Sequence, residues 1–189
     1  MGSLQVPIRD VLECGDLDSP VQIECGLRGE GSPPIPNHFP RVSGRLGIDL
    51  NPVDVNNRDS ILWLRALIWP DHKERADLIE RAIEVAQREP PELVAGDAVE
   101  VLPNILPLVP PDSILCILRV WTSLPKKARE RFSSVVTKYG QNRDLFVIST
   151  VSQRGNEIDL QLTSFGNGVK TVKLLAHCET HGEWLEWVA

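Results

Sequence analysis

The stretch Arg45-Leu46-Gly47-Ile48-Asp49-Leu50-Asn51-Pro52 decides the reading of this chain. Leu46 to Leu50 is a short apolar run interrupted by one acid, the pattern of a buried strand, and Asn51-Pro52 breaks it. The break leaves Asp49 at the carboxyl end of a strand, where open α/β sheets bind their ligands. A carboxylate in that position can accept two hydrogen bonds from a ribose diol. A second acid occupies an equivalent place some fifty residues on. Val94-Ala95-Gly96-Asp97-Ala98 closes another short strand with Asp97, and Gly96 permits close approach of a flat ring such as adenine. For each acid alone, a helix cap or turn residue is the local alternative, because Asp is favoured there for backbone reasons. Two of them at successive strand ends make a nucleoside pocket an equal competitor.

The rest of the chain extends the same alternation. Arg58 to Ile68 reads as a helix stopped by Trp69-Pro70. Asp71 and Glu74 are spaced as a capping box, and Ala76, Ile79, Ala82, Ile83 and Ala86 share one face of the helix that follows, up to Pro90-Pro91. Leu93 to Ala95 is a strand, Asp97 to about Leu106 a helix, and Ile114 to Val120 a buried central strand. Lys126 to Lys138 is an amphipathic helix begun by Pro125 and stopped by a left-handed Gly140. Leu145 to Thr150 is the next strand. Ile158 to Phe165 and Val169 to His177 flank Gly166-Asn167-Gly168 as a hairpin, and Trp184 to Val188 can add a closing strand.

This order predicts an α/β fold that is Rossmann-like, with a mainly parallel sheet and an antiparallel hairpin at the carboxyl-terminal edge. Residues 1–45 carry little periodicity and several glycines and prolines, and read as an irregular leader. Residues 46–189 then form the α/β domain. Gly26, Gly29 and Gly31 do not make a phosphate-cradling loop, because Pro33-Pro34 prevents a helix from starting after them.

Composition limits the function classes. The 189 residues correspond to roughly one domain of ordinary size. A net charge of −6 offers no basic field to attract nucleic acid, which is disfavoured as a partner. No apolar run approaches a membrane span and no signal peptide opens the chain. Cys14, Cys25, Cys116 and Cys178 lie far apart, with no Cys-x-x-Cys pair, so reduced thiols in a cytoplasmic protein are expected. Cys116, flanked by Leu115 and Ile117, reads as a buried small hydrophobe, and the tryptophans read as core packing.

Asp49-Leu50-Asn51-Pro52 and Gly96-Asp97-Ala98 are similar to the second and third motifs of class I S-adenosylmethionine-dependent methyltransferases. Arg45 to Val55, Trp63-Leu64-Arg65-Ala66, Trp69-Pro70-Asp71, Glu74-Arg75, Pro90-Pro91 and Gly96-Asp97 together resemble the domain of unknown function 2332 family. The resemblance extends to Ser19-Pro20-Val21 and to His181-Gly182-Glu183-Trp184-Leu185-Glu186-Trp187. It implies a methyltransferase-like domain binding S-adenosylmethionine, with Asp49 on the ribose, Asp97 on the adenine, and Asn51 and Gly96 beside them. The methyl acceptor would be a small molecule or a protein. No catalytic residue is assigned.

Two departures from that family pattern stand out. No Gly-x-Ser-x-Gly-Leu-Asn-like loop is present to cradle the methionine end of the cofactor. The resemblance therefore implies a truncated domain lacking its first strand, with residues 1–14 or another chain in that strand's place. The strand at Ile114 is followed by Arg119 and Thr122 in place of the family's polar pair. The alternative function is a non-catalytic interaction module, self-associating through an exposed sheet edge. A third is a metal-binding module at His177, Cys178 and His181. That set is one short of the four ligands of a structural zinc site, the nearest candidates for the fourth being Glu179 or a distant His38 or His72.

Overall fold

The computed structural model describes residues 13–36, 40–120, 125–153 and 155–189. Residues 121–124, with Trp121 and Thr122, fall outside the described residues, as does His38. The chain forms two compact units, one of residues 13–23 and 36–98, the other of residues 24–35 and 99–189.

In the first unit, strand β2 (Leu46–Asp49) pairs in parallel with β3 (Glu92–Ala95), Asp49 lying level with Ala95. A parallel pair needs a long crossover, supplied here by helices α1 (Arg58–Ala66) and α2 (Lys73–Arg88). Asn57 caps α1, its side-chain oxygen accepting from the N–H groups of Asp59 at 2.9 Å and Ser60 at 3.0 Å. Arg65 and Glu80 join the helices through a two-pronged ion pair, and Gln87 donates to the Val55 carbonyl at 2.7 Å. Ile83, from the predicted apolar face of α2, is buried. The predicted cap is not used: His72 precedes α2 without a side-chain bond to it.

The second unit holds a six-stranded sheet in the order β1-β8-β7-β6-β5-β4. Its members are β1 (Gly26–Arg28), β4 (Leu115–Arg119), β5 (Leu145–Ser152), β6 (Glu157–Gly166), β7 (Val169–Glu179) and β8 (Trp184–Trp187). Helix α3 (Ala98–Ile105) and a 3₁₀ turn at Leu106–Leu108 lead towards β4, and α4 (Lys126–Gly140) makes the parallel crossover from β4 to β5. Residues of β5 alternate between buried and half-buried, as a strand covered on one side requires. Leu145 and Val147 on that side share the core with Phe165, with Phe132 and Val136 of α4, and with Val99, Leu102 and Leu106. Tyr139 donates to the Pro103 carbonyl at 2.9 Å. Arg143 clamps the segment before β4 by donating to the carbonyls of Val109 at 3.0 Å, Pro110 at 3.1 Å and Ser113 at 2.7 Å.

Several expectations need correction. A mixed α/β fold is present, but not one mainly parallel sheet. Among the described residues β2 and β3 form a sheet of their own, and three of the six strand pairings are antiparallel. The stretch expected to be irregular contains β1, a three-residue strand that exists by pairing in parallel with β8. Gly140 is not a left-handed stop. It is the last residue of α4, buried, and a Cβ there would run into the Phe165 ring, so close packing rather than φ is what requires glycine. The hairpin turn uses Asn167 (φ 50°) and Gly168 (φ 75°), a two-residue turn, with Gly166 inside β6. Cys116 is exposed, as are Trp63 (65%) and Trp69 (76%). Cys116 and Leu118 are the exposed residues of β4, alternating with the half-buried Leu115, Ile117 and Arg119.

Candidate functional site

The four residues singled out in the sequence all lie in the first unit, at the carboxyl ends of β2 and β3. The backbone ladder runs one step beyond the strands: the Gly96 N–H donates to the Asp49 carbonyl at 2.8 Å. Asp49 and the Gly96-Asp97 pair are thereby brought to one rim. The chain turns away after Asp49 because its Oδ1 accepts from the Asn51 N–H at 2.8 Å, a local Asx turn that points Asn51 and Pro52 out of the strand. Gly96 has φ 148°, a conformation that L side chains rarely adopt, and is half-buried. Asp49, Asn51 and Asp97 are exposed to solvent. Asp97 directly precedes α3.

Chemically, this rim presents two carboxylates and a side-chain amide next to a backbone position without a Cβ. One Asp49 oxygen is engaged by the Asn51 N–H, and the other remains for a ligand hydroxyl. Such a set suits hydrogen-bond donors of a sugar diol and an amino-substituted ring. Among the described residues, no glycine-rich loop beside β2 adds donors for an anionic group.

The second unit contains a polar constellation that the sequence reading passed over. His177 Nδ1 and Asp159 Oδ1 are 2.7 Å apart across the β6–β7 pair, and Gln153 Nε2 donates to Asp159 Oδ2 at 2.5 Å. Asp159 is buried and His177 part-exposed, so the carboxylate receives both of its donors from within the protein. The signal lay in register: Asp159 is apolar-flanked and unremarkable until the hairpin turn fixes His177 opposite it. Ser149 is the other buried polar residue among those described.

The His177, Cys178 and His181 set does not assemble as a metal site. His177 and Cys178 are successive strand residues on opposite sides of the sheet, the first held by Asp159 and the second directed at the Ile158 carbonyl at 3.6 Å. His181 lies in the turn after β7, its N–H donating to Glu179. Burial would raise the Glu179 pKa, but bonds from the Thr180 hydroxyl and the His181 and Glu183 N–H groups, with the His181 charge, hold it below the usual value. Among the described residues no group of three or more His, Cys, Asp or Glu side chains could hold a metal ion. Nor is any helix there long and apolar enough to cross a membrane.

Comparison with family models matches residues 5–187 to DUF2332, described as an uncharacterized protein conserved in bacteria. The chain belongs to this family. The DUF2332 match covers both units, including the rim at Asp49 and Asp97 and the Asp159–His177 pair. No curated protein and no solved structure matches the chain significantly.

Proposed function

We propose that this DUF2332 protein binds the nucleoside part of S-adenosylmethionine at the carboxyl rim of β2 and β3, as a methyltransferase-like domain. The observation that carries the reading is the 2.8 Å bond from Gly96 N–H to the Asp49 carbonyl, which sets two exposed acids at neighbouring strand ends. The residues fit the nucleoside end of that cofactor. Asp49 would accept from the ribose hydroxyls and Asp97 from the adenine amino group, with Asn51 beside the ribose. Gly96 would leave room for the ring. When bound, the cofactor supplies an electrophilic methyl group on a sulfonium, and transfer asks the protein mainly for positioning. The acceptor belongs to the same proposal as a small molecule or a protein, as does a cytoplasmic location for a chain with four free thiols.

The test is binding of S-adenosylhomocysteine. It raises the melting temperature of the wild-type protein by mass action. In Asp49→Ala the affinity falls about 10- to 100-fold, as expected for loss of one or two hydrogen bonds to a charged group. No shift at millimolar ligand, or equal shifts in wild type and variant, overturns the reading.

A second reading, a protein-interaction module, is favoured by the terminal strand β4. It ends the six-stranded sheet, and Ile114 (82%), Leu118 (71%) and Val120 (75%) are exposed on or beside it. A strand edge with unpaired backbone groups and apolar neighbours is a template for a further strand. Leu118→Lys, which places a charge on that exposed edge, tests it by shifting any self-association towards monomer.

A further inference from the structure

The Asp159–His177 pair leaves one atom of the imidazole unused. Asp159 is buried, accepts from Gln153 Nε2 at 2.5 Å, and places its other oxygen 2.7 Å from His177 Nδ1. An ionised carboxylate only accepts, so Nδ1 carries the ring proton and Nε2 of the neutral imidazole is an acceptor. The His177 side chain is 44% exposed, and its Nε2 makes no hydrogen bond among the described residues. Asp159 is level with Val151 near the carboxyl end of β5, and His177 is near the carboxyl end of β7, which runs in the same direction as β5. Sheets of this kind bind ligands at that end.

Glu186 of β8 is the direct cross-strand partner of His177, and Arg28 of β1 is that of Glu186, so the three residues share one face of the sheet. Side chains so paired start about 5 Å apart. Glu186 is half-buried, and its carboxylate enters no ion pair among the described residues. It lies against Gly29, where φ is 71° and a Cβ would meet Glu186 Oε1 at 3.0 Å, so glycine keeps the space of this carboxylate open. Arg28 does not neutralise it, because its guanidinium carbon sits 4.0 Å from the centroid of the Trp184 ring. Glu179, two residues after His177, is already engaged by the Thr180 hydroxyl at 2.7 Å and the His181 N–H at 2.6 Å. Two acceptors, one of them charged, thus stand on neighbouring strands without a donor.

We propose that Glu186 and His177 form a binding site for the primary ammonium group of a small ligand, with Asp159 holding the imidazole in position. An ammonium brings one positive charge and three N–H donors, enough to pair with the Glu186 carboxylate and to donate to Nε2. A divalent metal ion suits the pair less well, because among the described residues no third His, Cys, Asp or Glu side chain completes a ligand group. When the amine reacts, Nε2 takes the proton that leaves its nitrogen. The N–H bond breaks, its electron pair becomes the lone pair of the nucleophile, and the imidazolium is stabilised by Asp159. The site belongs to the second unit and does not depend on the S-adenosylmethionine reading. A simple alkylamine contains no nucleoside, so its binding and that of S-adenosylhomocysteine succeed or fail separately.

The experiment titrates the full chain with n-butylamine and with tetramethylammonium at constant ionic strength and mildly alkaline pH, reading affinity by calorimetry and the imidazole nitrogens by NMR. Butylamine binds the wild type and moves the His177 Nε2 resonance while those of His72 and His181 stay in place. Tetramethylammonium, which has no N–H to donate, binds more weakly and leaves that resonance unmoved. Affinity for butylamine falls about tenfold in Glu186→Gln, the loss of a charge-assisted contact, and is unchanged in Glu130→Gln on α4. In Asp159→Asn both ring tautomers become populated, the two ring resonances draw together, and butylamine moves Nε2 less, a signature that a merely structural role would not produce. If Asp159→Asn does not fold, the wild-type resonances and Glu186→Gln decide. No binding of butylamine, an unmoved Nε2 resonance, tetramethylammonium bound as tightly as butylamine, or equal affinity in wild type and Glu186→Gln overturns the proposal.

Discussion

Asp159 Oδ1 lies 2.7 Å from His177 Nδ1, across two antiparallel strands that are adjacent in sequence. Removing the carboxylate releases two donors, His177 and Gln153. Asp159→Ala is expected to lower the unfolding free energy by about 0.5–1.5 kcal/mol per hydrogen bond lost, since His177 is part-exposed and Gln153 exposed and water takes up both donors. Urea denaturation measures it. A change within about 0.5 kcal/mol, the scatter of ordinary surface substitutions, would show that the network contributes nothing.

Gly140 and Phe165 give a second prediction, of steric origin. Gly140→Ala places a methyl group where the Phe165 ring already lies. Helix propensity alone would make the change stabilising, by roughly 0.5–1 kcal/mol. The clash dominates, and overpacking sets the expected loss at about 1–3 kcal/mol. Combining Gly140→Ala with Phe165→Leu recovers part of it, so a double-mutant cycle that is strictly additive would contradict the contact.

Partial desolvation by neighbouring atoms pushes the thiols of the largely exposed Cys25 and Cys116 and the half-buried Cys178 above the ordinary value of 9.0, Cys178 with help from nearby negative charge. The folded chain therefore holds these protons more tightly than the unfolded chain. Their contribution to stability is fully present below about pH 9 and is lost as pH rises through the folded-state values. At pH 8 each is alkylated by iodoacetamide more slowly than a free cysteine, in proportion to its smaller thiolate fraction. Peptide mapping by mass spectrometry reads the rates, and rates equal to free cysteine would refute the shifts.

Leu118, 71% exposed on the terminal strand, tests the interaction reading. The wild-type protein is expected to self-associate with rising concentration, and Leu118→Lys to shift it towards monomer, because an inward or edge-facing lysine blocks strand addition. Sedimentation velocity distinguishes the outcomes. Identical monomeric behaviour of both proteins at high concentration removes the support for a partner strand.

Much of the secondary structure was readable along the chain. The 3.6-residue spacing of Ala76, Ile79, Ala82, Ile83 and Ala86 announced α2, and the run from Leu145 to Thr150 announced β5, whose one-sided burial only the structure shows. The Asn167-Gly168 turn was visible as a turn, although its positive φ values fall on Asn167 and Gly168 rather than on two glycines. By contrast, β1 has three residues and no period of its own. Only its partner β8 makes it a strand. Gly140 looked like a stop because a glycine near a helix end usually is one, and no local signal reveals the distant Phe165 that actually requires it.

The candidate rim divides in the same way. That Asp49 and Asp97 stand at strand ends follows from Asn51-Pro52 and from Gly96, since turn chemistry is local. That they share one rim follows from the parallel register of β2 and β3, a long-range pairing. Likewise, the order of helices and strands from β2 onward and the acidic balance of the chain were determined by residue periodicity and composition alone. Tertiary structure decided which strands share a sheet, which thiols and tryptophans face outward, and that His177 meets Asp159. Those outcomes depend on residues far apart in the chain, whose encounter no local spacing encodes.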